Sequence, residues 1–292
     1  METFILVLVS GLTLSGMYAL SAIGLSLTWG ALGMLNMAHG AFLAVGSYAC
    51  FTIITQLGAP LWLAIPLAVI ISGLVGLLVY LLIVRQMFRH PAFETNIIIA
   101  TIGLAILSEN TILNFFGAYP FRQPLGIEGG FRLSGIFIPY QNIAILASSV
   151  VLVVLVGILL GKTRTGRAIR ATSMNKDAAL LMGVPVGRVY AQVMALSGCL
   201  AAVSGIMLST ITTLSPTMVD APMVKAFIIV AVAGLGNVYG AFFIAIGFGL
   251  LEAIFQFTFG VRLAFPLLLL LVIVSLIWRP NGFFGSATIL RN

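Results

Sequence analysis

The sequence predicts an all-α polytopic membrane protein of eight or nine transmembrane helices, with broken or re-entrant segments and possible internal repeats. Three observations carry this expectation. Of 292 residues, 61% are hydrophobic and 7% charged, whereas water-soluble domains carry about 25% charged residues. The apolar runs reach roughly 20 residues, enough at ~1.5 Å per residue to cross a hydrocarbon layer of ~30 Å. Those runs also lack the alternation of apolar and polar residues that a barrel strand in a membrane requires. The whole chain, 1–292, reads as one transmembrane domain.

The first span, 4–30, opens with METFILVLVSGLTLSG. It has no positive leading region and no small-residue cleavage site, so it reads as a retained span. The second, 33–57, contains GMLNMAHGAF. Its polar Asn36 and His39 and the adjacent Gly40 mark a break in the helix, with His39 bonded to a neighbouring helix or facing the pathway. Spans at 61–84 and 94–116 follow. The latter carries Glu109, costly in lipid unless it faces protein, water or a partner, and Asn110 and Asn114 beside it suggest an interhelical hydrogen-bond knot. Gly, Pro and aromatic residues make 117–139 an ordered loop, and further spans are expected at 140–161 and 189–213.

The apolar block 224–259 is too long for one span, at about 54 Å of helix. GLGNVYG (Gly234–Gly240) divides it into a short piece from Val224 to Ala233 and a full helix from about Ala241. Such short broken helices line pathways, because freed backbone groups at membrane depth need protein or water. Asp220 and Lys225, around Pro222, suggest an ion pair at the entrance to the short piece, and Glu252 a residue near the membrane boundary. A last span runs over 264–279. NMAHGAFLAVG (Asn36–Gly46) and NVYGAFFIAIG (Asn237–Gly247) echo one another, as two repeats flanking a central path would. The candidate pathway residues are therefore Asn36, His39, Gly40, Glu109, Asn237 and Gly240.

Charge sets the expected orientation. The connection 162–188 holds Lys162, Arg164, Arg167, Arg170, Lys176 and Arg188 against Asp177 alone, which places it in the cytoplasm by the positive-inside rule. The link with Arg85, Arg89 and His90 falls on the same side, as do Arg279 and Arg291 in the tail. The loop 117–139, with Arg122 and Arg132 against Glu128, falls on the other. The N-terminus is then outside and the C-terminus cytoplasmic, in a bacterial-type inner membrane. This topology already accounts for the net charge of +7, so no nucleic-acid partner is implied.

Catalytic and metal-binding patterns are missing from the sequence. Two distant histidines, no HExxH and no GxSxG leave nothing to assign to hydrolysis or a metal. Cys50 and Cys199 lie in apolar spans without CxxC spacing and read as packing residues. GILLGKT (Gly157–Thr163) has three residues between its glycines where a phosphate-binding loop has four, and it ends a span instead of following a strand. Lys162 is thus a boundary anchor, and the chain has no ATPase site or cofactor of its own.

The connection 162–188 carries the most specific signal. Asn175 is a good N-cap for Lys-Asp-Ala-Ala-Leu-Leu-Met, Gly183 a good stop, and Pro185 follows. A helix of about two turns is unstable alone, and Leu180, Leu181 and Met182 suit a knob for a partner's groove. Asp177, Ala178, Ala179 and Gly183 resemble the Glu-Ala-Ala-x-x-x-Gly signature by which permease subunits of ABC importers engage their ATPases. With TGRAIRATSMN, NMAHGAF and AGLGNVYGA, the chain resembles the branched-chain amino acid permease family of LivH/LivM type over nearly its whole length. Two positions depart from that pattern: Asp177 is a methylene shorter than the usual Glu, and Ala41 stands where many relatives have Glu.

The resemblance implies an importer in which this chain, itself in contact with membrane lipid, joins two cytoplasmic ATP-binding subunits, a second identical or homologous permease subunit and an extracytoplasmic solute-binding protein. ATP and magnesium would sit in the ATPases. Residues 177–183 would couple them to the spans, and the solute would be a branched-chain amino acid. The alternatives are a permease for urea, amides or small organic acids, and a stand-alone proton-coupled carrier or channel that uses Glu109, Glu252 and His39.

Overall fold

A computed structural model of the chain describes residues 2–88, 92–125, 129–133 and 136–285. Arg89, His90, Glu128 and Arg291, used above to set orientation, lie outside the described residues. The elements in order are α1 (Glu2–Leu32), α2 (His39–Thr55), α3 (Leu61–Val79), α4 (Arg85–Met87), α5 (Phe93–Phe116), β1 (Gly130–Leu133), β2 (Ile136–Pro139), α6 (Tyr140–Lys162), α7 (Arg164–Met174), α8 (Lys176–Leu181), α9 (Val186–Ile211), α10 (Asp220–Ala233), α11 (Val238–Phe259) and α12 (Val261–Trp278). One π-helical turn, Tyr80–Val84, joins α3 to α4. Among the described residues, seven helices are long and apolar enough to cross a membrane.

Prolines start several of these helices. Pro60, Pro139 and Pro185 stand at the caps of α3, α6 and α9, where a missing N–H costs nothing. The expected break in 224–259 falls at Gly234–Asn237, between α10 and α11. The short helix before it begins at Asp220, four residues earlier than expected, and takes Pro222 into its first turn, where a missing N–H breaks no intrahelical hydrogen bond.

α1 and α9 run antiparallel through the middle of the molecule. Ser204 Oγ donates to the Met17 carbonyl at 2.8 Å, while further along α1 Gly24 lies against the Ser197 carbonyl. α11 packs along α1, and α3 packs along α9. Both contacts are close because small residues line them: a Cβ on Gly198 would sit 2.6 Å from the Ser72 oxygen, and one on Gly249 would sit 2.5 Å from the Ser15 nitrogen. In lipid, where no hydrophobic force joins helices, such backbone approach supplies the contact energy.

Two short helices complete the centre. Between Leu32 and His39 the chain is non-helical and turns back along α1, so that α2 starts level with Ser21 and Gly24, midway along that helix. Between Ile211 and Asp220 the chain again leaves helical geometry before α10 starts beside Gly40. α2 packs on α9, and α10 packs on α1. The triplet α1–α2–α3 is thus matched by α9–α10–α11 with reversed direction, the inverted repeat of many transport folds. The echo between Asn36–Gly46 and Asn237–Gly247 relates different segments, α2 and α11, which point the same way. Its common element is an asparagine ahead of a helix start.

Candidate functional site

Two regions gather the residues singled out in the sequence. The first is the protruding arm α7–α8. Thr163 Oγ1 accepts the Gly166 amide at 3.0 Å and caps α7. This helix buries Gly166, Ile169 and Thr172 and exposes Arg164, Arg167 and Arg170. Asn175 Oδ1 accepts from the amides of both Asp177 and Ala178 at 3.0 Å, opening α8. At the other end Gly183 N–H donates to the Leu180 carbonyl and Val184 N–H to Ala179, with Gly183 at φ 81°. That is a complete Schellman stop, and glycine supplies the left-handed turn without strain.

The tip of this arm is apolar and uncovered. Ala179 is buried at 4% exposure and fixes the helix to the body, while Met174, Leu181 and Met182 are 87%, 88% and 84% exposed and Leu180 is half out. Asp177 and Ala178 are exposed beside them. A six-residue helix does not hold together by itself. Here two full caps and the anchored Ala179 stiffen it, so the exposed side chains keep a fixed arrangement.

The second region is a cleft of about 200 Å³ between α2, α5 and the start of α10, lined by Met37, Gly40, Glu109, Pro216, Asp220 and Met223. Asn36 and His39 sit behind it, fully buried. Asn36 Oδ1 accepts the Ala38 amide at 3.1 Å. The His39 ring spans α1 and α9, its Nε2 3.2 Å from Ser21 Oγ and its Nδ1 3.3 Å from Ser197 Oγ. His39 therefore fixes the start of α2 between the two central helices.

Asn237 and Gly240 lie elsewhere. Asn237 Nδ2 donates to the Phe284 carbonyl, and a Cβ on Gly240 would meet Phe284. These two residues hold the C-terminal stretch against α11, on the face of the molecule that also carries α7.

Three readings of the sequence are corrected. Lys225 pairs with Glu252 at 2.6 Å and not with Asp220. Glu252 is buried at 3% exposure and is far from an exposed boundary residue. It also accepts from Tyr18 Oη at 3.0 Å and Gln256 Nε2 at 3.0 Å, and Lys225 donates to Tyr18 at 2.9 Å. Glu109 forms no knot with its neighbours: Asn110 and Asn114 donate to carbonyls of their own helix, at Ile106 and Asn110. Sequence reading missed α7 altogether, although Gly166, Ile169 and Thr172, three apart and opposite the arginines, carried the helical period.

A two-helix arm with an apolar tip thus projects from a multi-span body with an inverted repeat. The family profile described as branched-chain amino acid transport system / permease component matches residues 7–277. The chain belongs to this family. BraD, a high-affinity branched-chain amino acid permease protein of Pseudomonas aeruginosa, is 27% identical over 95% of this chain and 94% of its own. LivH of Escherichia coli is 26% identical over 94% of both chains. PsaBC from Streptococcus pneumoniae, solved in complex with a Fab, matches 93% of this chain and 91% of its own with a TM-score of 0.53 at 12% identity, which supports the fold alone. This permease is accordingly a multi-pass membrane component of a transport system, and not itself an enzyme.

Proposed function

We propose that the chain is the transmembrane subunit of an ABC importer that moves branched-chain amino acids inward, driven by separate ATP-binding subunits that grip the α7–α8 arm. One observation carries the reading: Leu181 and Met182 stand almost wholly exposed on a helix that is capped at both ends. An apolar tip held this rigidly fits a groove on another protein, since it serves no purpose in water.

The arm transmits movement because it is attached at several points. α7 packs on α1, α6 and α9, and Ala179 sits in the same apolar cluster as Val189 and Met194 of α9. Closure of the ATP-binding subunits around the tip shifts α9, and with it the base of α2 at His39, as a rigid body. The α2–α5–α10 cleft then opens or closes. The acidic pair Glu109 and Asp220 faces the ammonium end of an amino acid there.

In this reading the connection 162–188, with six basic residues against one acidic residue, lies in the cytoplasm of a bacterial-type inner membrane. The same reading takes seven long helices plus α2 and α10 with their extended leads as nine traverses, running from an N-terminus outside to a C-terminus inside. The face made by α5 is largely exposed and receives the second permease subunit. A solute-binding protein docks on the opposite side from the arm, and ATP with magnesium binds only in the partner ATPases.

The test is uptake in proteoliposomes holding the full complex. Leu181→Asp and Gly183→Pro, both at exposed positions, leave the protein inserted but reduce substrate-driven uptake at least about tenfold, a loss of the order expected for an interface anchor. Undiminished uptake in both variants rules the arm out as the coupling element. Uptake driven by a pH gradient with this chain alone would favour the carrier alternative.

A further inference from the structure

On the face that carries α7, a crevice of about 400 Å³ lies in front of the last turns of α1. α6 and α11 both pack on α1 without packing substantially on each other, which leaves a gap between them. Leu27 and Leu160 form its apolar wall, while Ser26, Arg170, Ser173 and the backbone from Leu235 to Tyr239 form its polar rim.

Three features of the rim point to a bound oxyanion. The first is the start of α11. Asn237 Oδ1 accepts only the Gly240 amide, and the amides of Val238 and Tyr239 have no acceptor among the described residues. The preceding Gly234 and Gly236, at φ 99° and 84°, complete a glycine-rich turn into a helix N-terminus, a geometry that presents N–H groups and positive potential to an anion.

The second feature is Ser26. Its residue is completely buried and its Oγ has no partner among the described residues, although Thr13, Ser15 and Thr28 in the same helix all bond back to the carbonyl four residues earlier. Ser26 lines the crevice, and its hydroxyl, which makes no such local bond, is the unspent donor at that wall. The third feature is Arg170, an exposed cation with no carboxylate within ion-pair distance among the described residues.

From these contacts we infer that the crevice binds the phosphate of an anionic phospholipid, with an acyl chain entering between α6 and α11 along Leu27 and Leu160. The combination of an apolar wall and an oxyanion rim at the interface depth fits an amphiphile, and basic residues at this face attract anionic headgroups. A headgroup held by Arg170 on one side and by the α11 amides on the other joins the α7–α8 arm to the transmembrane body. Lipid occupancy therefore stiffens the arm that the ATP-binding subunits grip. The binding site stands independently of the transport reading; only its effect on coupling rests on it.

The full complex, purified in detergent, is exchanged into mixtures containing phosphatidylglycerol or phosphatidylcholine, and retained lipid is counted by native mass spectrometry. One phosphatidylglycerol per chain is expected to survive, against none for phosphatidylcholine. Arg170→Gln lowers its occupancy about fivefold, the value of one basic contact at an anionic surface. Ser26→Ala lowers it about twofold, and Arg164→Gln, on the same helix but outside the crevice, leaves it unchanged. Equal loss in Arg170→Gln and Arg164→Gln, or equal retention of the two lipids, overturns the site. Protection of the chain by inorganic phosphate but not by phosphatidylglycerol overturns the lipid and assigns the crevice to a free anion. Retention that depends on Arg170 while uptake in the variant stays at the wild-type rate upholds the site and overturns its part in coupling.

Discussion

Lys225 shows how a single residue joins three helices. Its ammonium lies 2.6 Å from Glu252 and 2.9 Å from Tyr18, and it stands 5.2 Å over the Tyr18 ring and 5.6 Å over that of Phe265. Two opposite charges deep between helices are tolerated because each has several partners, and removing one partner leaves the other stranded. Lys225→Met is expected to cost about 3 kcal/mol, read as a fall in the thermal transition in detergent, while Lys225→Met with Glu252→Leu recovers most of it. A double variant as unstable as the single one would show that the loss comes from packing and not from charge. The sequence revealed both charges but not the pair. Residues five apart, such as Asp220 and Lys225, lie about 140° apart around a helix and do not meet. Glu252, the true partner, lies beyond a break, where no helical period points.

Among the elements, α8 was the most legible because its signals are local. Asn175 and Gly183 act within a few residues of themselves, and the structure uses both as the sequence suggests. Asn175→Ala removes the acceptor for two amides and is expected to destabilise the arm by about 1 kcal/mol. Hydrogen exchange of the 177–182 amides should then be several-fold faster with the rest of the chain unaffected; an unchanged exchange rate would mean that packing by Ala179, and not the cap, sets the arm's rigidity. The break at Gly234–Asn237 was legible for the same local reason. The extended stretch before α2 was only half so. Asn36 and His39 announced a break, but hydropathy counted 33–38 as helix because Met34, Leu35 and Met37 are as apolar as any span. His39's two serine partners, on α1 and α9, are remote in sequence and left no local trace.

For the molecule as a whole, composition alone gave the class. A chain with 7% charged residues buries helices in lipid; many of its described charges sit near helix ends or on the arm, and Lys225 and Glu252 pair between helices. The pairing of α1–α2–α3 with α9–α10–α11 is invisible in sequence because it conserves shape and direction, not residues: small side chains at Gly198 and Gly249 permit the two close contacts, and their neighbours differ. In such a fold the arm α7–α8 occupies the connection between the halves, where one push reaches both. The central claim is that a partner ATPase covers the tip of that arm. Leu181→Cys, reacted with a membrane-impermeant maleimide from the arm's side of the membrane, tests it directly. The account predicts rapid labelling of the chain alone and strong protection in the complex with its ATP-binding subunits; labelling at the same rate in both would contradict it.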